Sequence, residues 1–243
     1  MKIKTNKELI NNYKDYYCDK SETAWRELCA SRKADNIVNC CKGINFNRVL
    51  EIGAGEGAIL QNLSNRKFSK ELYALEISSS GVKNIKDRNI FGMKDVSTFD
   101  GYNTNFKDKF FDLVILSHVV EHVEHPRLLL YEANRISKYV FVEVPLEDNY
   151  SIKKNFLFNK VGHLNYYNPT TIRFLLQSSG FDIVKEVVSN PTREIYNFHQ
   201  GKIIGSIKHF IKEVALFLSN NITPKIFTYQ SSILCFTKNN KYN

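Results

Sequence analysis

The segment that most constrains the fold runs from Arg48 to Gly57 and reads RVLEIGAGEG. Its apolar residues Val49, Leu50 and Ile52 predict a short buried strand. Three alternating glycines follow, and they predict a tight turn that opens into a helix. Because glycine has no Cβ, a turn of this kind lets a ligand lie directly against the backbone. The chain is therefore predicted to contain a strand–turn–helix ligand site.

An acidic residue on the strand itself narrows the choice of ligand. The dinucleotide-binding fingerprint is G-x-G-x-x-G, in which a pyrophosphate lies at the helix N-terminus. Here the pattern is E-x-G-x-G-x-G, and the acid is Glu51. A carboxylate beside the loop repels a pyrophosphate and favours a cationic ligand that carries an amine. An NAD-dependent oxidoreductase or epimerase is therefore the less favoured interpretation.

A second acid follows the glycine turn by about one β-α-β step. The run ELYALEIS at residues 71–78 predicts a strand that ends at Glu76, and Ser78 predicts the N-cap of the next helix. A carboxylate at this position accepts hydrogen bonds from both hydroxyls of a ribose. This chemistry suits more than one nucleoside cofactor, so Glu76 indicates a nucleoside without choosing among them.

Further apolar runs extend the same pattern toward the C-terminus. Because strand runs alternate with helical ones, the sequence predicts an α/β fold. Asn168 and Pro169 predict the start of one helix, and Gly180 predicts its end. The later strands are predicted at residues 111–116, 139–148 (with a stop at Pro145), 181–189 and 231–238.

Three histidines fall where the ligands of a parallel sheet are expected. The run SHVVEHVEHPR at residues 117–127 follows the strand at 111–116, and ligands of open parallel sheets lie beyond the carboxyl ends of strands. His118 and His122 are spaced to share one face of a helical turn. Histidine titrates near neutral pH, so His118, His122 or His163 is the expected proton acceptor. As an alternative, His163 only stabilises its own loop.

Together these segments resemble class I S-adenosyl-L-methionine (SAM)-dependent methyltransferases. The resemblance covers most of the chain except the first 45 residues and an insertion at about 190–230. It implies a Rossmann-like α/β fold whose seven-stranded sheet is mostly parallel, with an antiparallel last strand and an N-terminal helical cap. It also implies SAM as the cofactor and methyl transfer as the reaction.

The resemblance assigns parts of SAM to individual residues. Glu51 and the glycine turn hold the methionine end, Glu76 the ribose and Asp100 the adenine, with Asp95 as a rival for the last role. The residues expected at the cofactor are Glu51, Gly53, Ala54, Gly55, Gly57, Glu76, Ile77, Asp100, Gly101 and Ser117.

The histidine run also resembles a metal-binding signature. Ubiquinone-biosynthesis O-methyltransferases carry Glu-x-x-Glu-His at this place and use it to hold a divalent metal. In this chain His118 replaces the first Glu, which disfavours magnesium and leaves a softer metal at His118, Glu121 and His122 as a weak alternative. We predict no metal, and expect Glu121 and His122 to act as local structural anchors in that case.

The net charge of +9 is compatible with nucleic acid or anionic lipid as a partner. The lysines are scattered, however, and no Asn/Asp-Pro-Pro-aromatic run, which would hold a flipped base, follows the strand at 111–116. An RNA methyltransferase is therefore the alternative to a small-molecule enzyme. The expected acceptor is an oxygen or nitrogen of a small metabolite, such as a sugar, nucleotide-linked or phosphorylated precursor of surface polysaccharide or a secondary metabolite.

The sequence predicts a cytoplasmic protein. The N-terminus MKIKTNKELI lacks the apolar core of a signal sequence, and no run approaches the ~20 apolar residues of a membrane span. The five cysteines lack C-x-x-C spacing, so neither a disulfide framework nor a zinc site is expected. We expect a helical cap at residues 1–45 and a methyltransferase domain at 46–243, as a monomer or a homodimer.

Two helical segments have open roles. The insertion contains an amphipathic helix at residues 201–220, with lysines opposite its apolar residues. Such a helix fits a membrane surface, but it more often packs on the core or a second subunit, and we expect one of these two here. In the N-terminal cap, Tyr16, Tyr17 or Trp25 either closes the ligand pocket or packs the cap onto the core.

Overall fold

One seven-stranded sheet organises the described part of the chain. The structure is a computed structural model that describes residues 17, 22–150, 152 and 162–238. The spatial order of the strands is β3-β2-β1-β4-β5-β7-β6. The strands are β1 Phe46–Ile52, β2 Ser69–Glu76, β3 Met93–Thr98, β4 Phe111–Ser117, β5 Ser137–Pro145, β6 Phe181–Ser189 and β7 Gln230–Thr237.

Helices connect these strands and flank the sheet. The predicted caps are confirmed where the sequence marks them: the Ser78 side chain accepts from the N–H of Gly81, and the Asn168 side chain accepts from the N–H of Thr170. The helices are α1 Thr23–Cys40, α2 Ala58–Asn65, α3 Ser79–Asp87, α4 Pro126–Ile136, α5 Pro169–Ser178, α6 Arg193–Gln200 and α7 Lys202–Leu218, followed by a short 3₁₀ helix, Thr223–Lys225.

The sheet topology places a crevice beside β1. Strand β1 pairs in parallel with β2 on one side and with β4 on the other, so Glu51 lies between Ala74 and Ile115. Strands β2 and β3 thus lie on one side of β1, and the chain then crosses to β4 on the other side. At such a reversal of strand order, a ligand crevice opens at the carboxyl ends of the strands. Strand β7 runs antiparallel between β5 and β6, which confirms the predicted sheet with its antiparallel last strand.

Successive side chains of each strand point to opposite faces of the sheet, and each face packs into its own apolar layer. Val49 of β1 packs with α1 and α2, through residues such as Ile37 and Leu60. Leu50 points to the opposite layer, where it packs with α4 and α5. The described part of the predicted N-terminal cap is thus a helix packed on the sheet, while the predicted domain boundary at residue 45 stays a prediction.

The last long helix, α7, turns its apolar residues outward. Within α7, all of whose residues are described, only Gly205 and Lys212 are buried. Of the two partners expected for its apolar face, the core is therefore not the one it contacts, and packing against a second subunit stays a prediction. Among the described residues, no helix is both long and apolar enough to cross a membrane.

Candidate functional site

A cavity of about 430 Å³ lies at the carboxyl ends of β1, β2 and β4. Its floor is the glycine turn after β1 together with the first residues after β2 and β4. Helix α1 supplies Trp25 and Lys33 to one wall, and the start of the insertion supplies Pro191 and Ile195. Tyr17 also lines the cavity, so two of the three aromatic residues considered for its closure lie there, and Tyr16 lies outside the described residues.

The glycine turn brings bare backbone to the cavity. Gly53 and Ala54 donate their N–H groups to the carbonyl oxygen of Leu75, at 2.8 and 3.2 Å, which ties the turn to β2. Gly53 has a φ of +74°, and a Cβ at this residue would lie 2.5 Å from Cγ2 of Val119. Both the backbone conformation and the space therefore require glycine at this position.

Glu76 is held at the end of β2 by two backbone donors. The N–H of Gly55 donates to Oε2 at 2.8 Å, and the N–H of Ser78 donates to Oε1 at 2.9 Å. Burial raises the pKa of Glu76, and these two hydrogen bonds partly oppose the rise. Each carboxylate oxygen has a second lone pair, so the fixed carboxylate can still accept a pair of hydroxyls.

Glu51 is a buried acid whose charge is only partly compensated. Its side chain lines the cavity, and its Oε2 has no hydrogen-bond partner among the described residues. Burial raises the pKa of Glu51 well above its usual value, although the charge of Lys33 lowers it. A buried carboxylate oxygen without a donor is costly, and a cationic ligand group in the cavity would supply one.

The residue after β4, His118, lies between two buried acids. Its φ of +57° is uncommon for a residue with a side chain and marks a constrained site. Its Nε2 lies 3.6 Å from Oε1 of Glu143, and its Nδ1 lies 3.1 Å from Oε1 of Glu121. Glu143 also accepts from Asn36 at 2.7 Å and from Ser232 at 2.6 Å.

Two further histidines face the same cavity, His122 from the segment after β4 and His163 from the loop before α5. The rings of His122 and His163 lie 4.7 Å apart. His122 donates from Nδ1 to the carbonyl oxygen of Gly162 at 3.2 Å, and His163 bonds through Nδ1 to Oε2 of Glu147 at 2.6 Å. Both acceptors place the proton of a neutral ring on Nδ1, and so leave the lone pair on Nε2.

The two rings have opposite pKa shifts. Burial is the main cause that lowers the pKa of His122, and the nearby His163 acts in the same direction. Burial also lowers the pKa of His163, but the hydrogen bond and charge of Glu147 outweigh it, so this pKa is raised. The site therefore combines a histidine whose proton affinity is decreased with one whose proton affinity is increased.

The geometry changes the set of side chains that could hold a metal. Ligand atoms of Glu121, His122 and His163 lie within 4.8 Å of one another. His163 thus takes the place that the sequence assigned to His118 in the weak alternative. Burial raises the pKa of Glu121, but the close contact with Nδ1 of His118, together with charge at His118 and His122, outweighs burial, so this pKa is lowered.

Comparison with protein-family models identifies the family of this chain. The model of a methyltransferase-domain family matches residues 16–186, a span that contains the glycine turn, both acidic strand ends and the histidines. The chain belongs to this methyltransferase family. The match confirms the class I methyltransferase resemblance and SAM as the cofactor. No curated protein matches the sequence.

Solved structures share the fold of this methyltransferase at low sequence identity. A SAM-dependent methyltransferase from Archaeoglobus fulgidus is 22% identical, with a TM-score of 0.60, 89% of this chain and 97% of that chain covered. A complex of the Trm112 activator and a methyltransferase from Haloferax volcanii is 12% identical with a TM-score of 0.65, and the match covers 98% of this chain and 100% of that chain. The [4+2]-cyclase SpnF is 15% identical with a TM-score of 0.62, and the match covers 86% of this chain and 81% of that chain. Identities this low establish the fold only. Because one of these structures is a cyclase, the fold alone does not determine the reaction, which must be argued from the residues of the site.

The cavity of the methyltransferase fits its cofactor on two independent features. The orphaned oxygen of Glu51 matches the α-ammonium group of SAM, and the cradle at Gly53 has no room for a Cβ. The predicted residues that line this cavity are Glu51, Gly53, Ala54, Gly55, Glu76, Ile77, Gly101, Ser117, His118, His122 and His163.

Two of the expected cofactor residues lie beside the lining. Gly57 has a left-handed φ of +80° and starts α2, so its visible role is to end the turn. Asp100 accepts at Oδ1 from the N–H groups of Tyr102 and Asn103, at 3.0 and 2.9 Å, and so stabilises its own loop. Its rival Asp95 is exposed on β3. The adenine-binding role of Asp100 stays a prediction.

Sequence reasoning assigned no role to four polar residues at the site. Lys33 and Gln230 line the cavity, Glu143 contacts His118, and Glu147 contacts His163. Lys33 lies on a helix with no local motif, and Gln230 is the first residue of β7. Glu143 lies near the end of β5 and Glu147 lies just after it. The proline stop of that strand is a signal for the carboxyl edge of the sheet, but the histidine partners of the two acids are set by packing.

Proposed function

We propose that this methyltransferase transfers the methyl group of SAM to an oxygen or nitrogen of a small metabolite. A sugar, nucleotide-linked or phosphorylated precursor of surface polysaccharide or of a secondary metabolite is the acceptor class that the proposal names. SAM supplies a methyl group that is already activated on a sulfonium. The chain then needs to hold its substrates in line and to accept a proton, and alignment supplies much of such a rate.

The cofactor residues act by charge and hydrogen bonding. Glu51 and the turn at Gly53–Gly57 bind the methionine end, Glu76 binds the ribose diol, and Asp100 binds the adenine. The support for the first two roles is the orphaned oxygen of Glu51 and the fixed carboxylate of Glu76. Two buried acids beside the turn also disfavour the pyrophosphate of NAD, which argues against the oxidoreductase alternative.

His163 is the residue that we propose as the proton acceptor. The single observation that carries this role is its 2.6 Å contact with Glu147, made while its ring lines the cavity. A carboxylate at Nδ1 orients the imidazole and stabilises the imidazolium that forms when Nε2 takes the acceptor proton. His122, whose pKa is lowered, lies beside this base, and His118 borders the cavity at the end of β4.

The size of the cavity favours a small acceptor over RNA. Trp25 and Lys33 from α1 form one wall, and Pro191 and Ile195 form another, so the space beside the cofactor is bounded on two sides. Its volume of about 430 Å³ falls in the range of small-molecule sites. An RNA substrate would require an open basic groove that contacts several phosphates.

A product assay tests this proposal. Purified protein is incubated with SAM and a panel of hydroxyl- and amine-bearing metabolites, including sugar nucleotides, and S-adenosylhomocysteine is measured by mass spectrometry. The expected result is acceptor-dependent product that is lost in His163→Ala while SAM binding by calorimetry is retained. Product formed only with RNA, or full activity in His163→Ala, would contradict the proposed acceptor class or the proposed base, respectively.

A further inference from the structure

Helix α7 presents an apolar surface to solvent. Phe217 is 91% exposed, Ile203 77% and Phe210 67%. With ~3.6 residues per turn, the exposed apolar residues fall within an arc of about 140° on one side of the helix. We call this surface the α7 face, and its members are Ile203, Ile204, Ile207, Phe210, Ile211, Val214, Phe217 and Leu218. Contiguous exposed apolar surface of this kind marks a binding site.

The orientation of the helix is fixed by contacts on its opposite side. Lys212 is buried, and its Nζ donates to the carbonyl oxygen of Thr228 at 2.6 Å and to the hydroxyl of Tyr196. Tyr229 donates its hydroxyl to the carbonyl oxygen of Lys212 at 2.8 Å. A rotation that buried the α7 face would break these bonds and bring the apolar residues against polar partners. The outward apolar face is therefore built into the fold.

Glycine packing holds α7 to the insertion as well. A Cβ on Gly205 would lie 2.7 Å from the backbone nitrogen of Asn197 in α6, so the two helices approach as closely as only glycine allows. Helix α6 in turn supplies Ile195 to the cavity wall. The surface is thus attached rigidly to the element that borders the catalytic cavity.

Positive charge borders the α7 face. On the helical wheel, Lys202 lies about 60° beyond one edge and Lys208 about 40° beyond the other, while Glu213 lies about 40° beyond the first edge. Residues 201–230 contain three exposed lysines and a single acid, Glu213, besides the buried Lys212, within a chain of net charge +9. Phosphate groups of anionic lipids complement such a border, whereas a second copy would bring lysines of the same sign together across the interface.

We propose that the α7 face docks on the surface of an anionic phospholipid bilayer. The phenylalanines and isoleucines enter the boundary between headgroups and acyl chains, and Lys202 and Lys208 contact lipid phosphates. Docking of this kind is interfacial and requires no membrane-spanning helix. It adds a location to the proposed reaction and does not depend on which acceptor is methylated.

Vesicle flotation tests the docking. The full chain is mixed with phosphatidylcholine vesicles that either contain or lack phosphatidylglycerol, and the floated fraction is measured. We expect flotation with phosphatidylglycerol that decreases as salt is added, because screening weakens the lysine contribution. Replacement of Phe210 and Phe217 by serine should lower the partition coefficient about tenfold or more, since two exposed aromatic rings no longer enter the lipid.

Matched variants separate the α7 face from general stickiness. Phe174→Ser removes an exposed phenylalanine of α5, and Lys94→Glu reverses a charge on β3; both should float as the wild type does. Lys202→Glu with Lys208→Glu should weaken flotation on phosphatidylglycerol by roughly tenfold or more. SAM affinity should be unchanged in every variant, which shows that each is folded.

Three results would overturn the proposal. The first is no flotation of the wild type on phosphatidylglycerol vesicles. The second is equal flotation of the wild type and the variant in which Phe210 and Phe217 are serine. The third is a dimer in sedimentation velocity that this variant dissolves, without any vesicle binding, because that result assigns the α7 face to a second copy of the chain.

Discussion

The replacement Glu76→Gln tests the cofactor site at the residue with the best-defined geometry. Both carboxylate oxygens of Glu76 are held by backbone N–H groups, from Gly55 at 2.8 Å and from Ser78 at 2.9 Å. Glutamine keeps the shape of the side chain, but one of its oxygens becomes an NH₂ group. That group cannot accept from the N–H in front of it, nor from a ribose hydroxyl.

The expected loss of affinity follows from these contacts. Hydrogen bonds to a charged group contribute about 1.5–3 kcal/mol each and neutral ones about 1 kcal/mol. Replacing two charged bonds to the ribose by one neutral bond removes roughly 2–5 kcal/mol of binding, which weakens SAM binding about 30- to 4000-fold. The fold should survive, because the variant also removes a buried charge whose pKa is raised by burial.

Isothermal titration calorimetry with SAM measures the effect. The control is Glu71→Gln, an identical change on the same strand at a side chain that is 37% exposed, and its dissociation constant should equal that of the wild type. Thermal melting of the ligand-free variants verifies that both are folded. If folded Glu76→Gln bound SAM within about threefold of the wild type, the assignment of the ribose to Glu76 would be refuted.

Two further predictions concern the titrating groups. Glu51→Gln should raise the melting temperature of the ligand-free protein by a few degrees at neutral pH, since ~1 kcal/mol corresponds to about 2–4 °C. Burial raises the folded-state pKa of Glu51, so the stability of the wild type that depends on its protonated form is complete below about pH 4 and is lost as pH rises through the folded pKa. The difference in melting temperature between Glu51→Gln and the wild type should therefore vanish near pH 4. Equal melting temperatures at neutral pH would contradict this prediction. Glu147→Gln should lower the pKa of His163 in an imidazole NMR titration, because the carboxylate that raises it is gone, and an unchanged titration midpoint excludes Glu147 as the cause.

The parts of the fold set by local pattern were predictable from the sequence. Apolar runs mark the central strands, and the acids at Glu51 and Glu76 follow from the position of each strand's carboxyl end. Asn168 and Pro169 fix the start of α5 through local hydrogen bonds and a preset φ. Because these features depend on residues that are close in the sequence, the cofactor-binding turn and its two acids were predictable from the sequence alone.

Long-range packing decides what the sequence leaves open. His163 meets His122 because the loop before α5 folds back over the end of β4, and no spacing rule relates the two residues. The same packing joins His163 to Glu121 and His122 and gives a different set from the one the sequence indicated. Lys33 reaches the cavity only because α1 lies against the sheet.

The side of α7 that faces the protein was also beyond sequence reasoning. Its periodicity predicts an amphipathic helix, but burial of apolar residues predicts the opposite orientation. The structure buries Lys212 because Tyr196 and the carbonyl oxygen of Thr228 supply hydrogen-bond acceptors for its ammonium group. Burial also lowers the pKa of Lys212 to about 8. A buried lysine with such partners overrides the hydrophobic pattern.

A crystal structure of the protein with S-adenosylhomocysteine tests the central claim most directly. The cavity beside β1 should hold this nucleoside, with its amino group at the orphaned oxygen of Glu51 and its ribose hydroxyls on Glu76. A cavity that stays empty at saturating ligand, or a nucleoside bound with its ribose away from Glu76, would contradict the account.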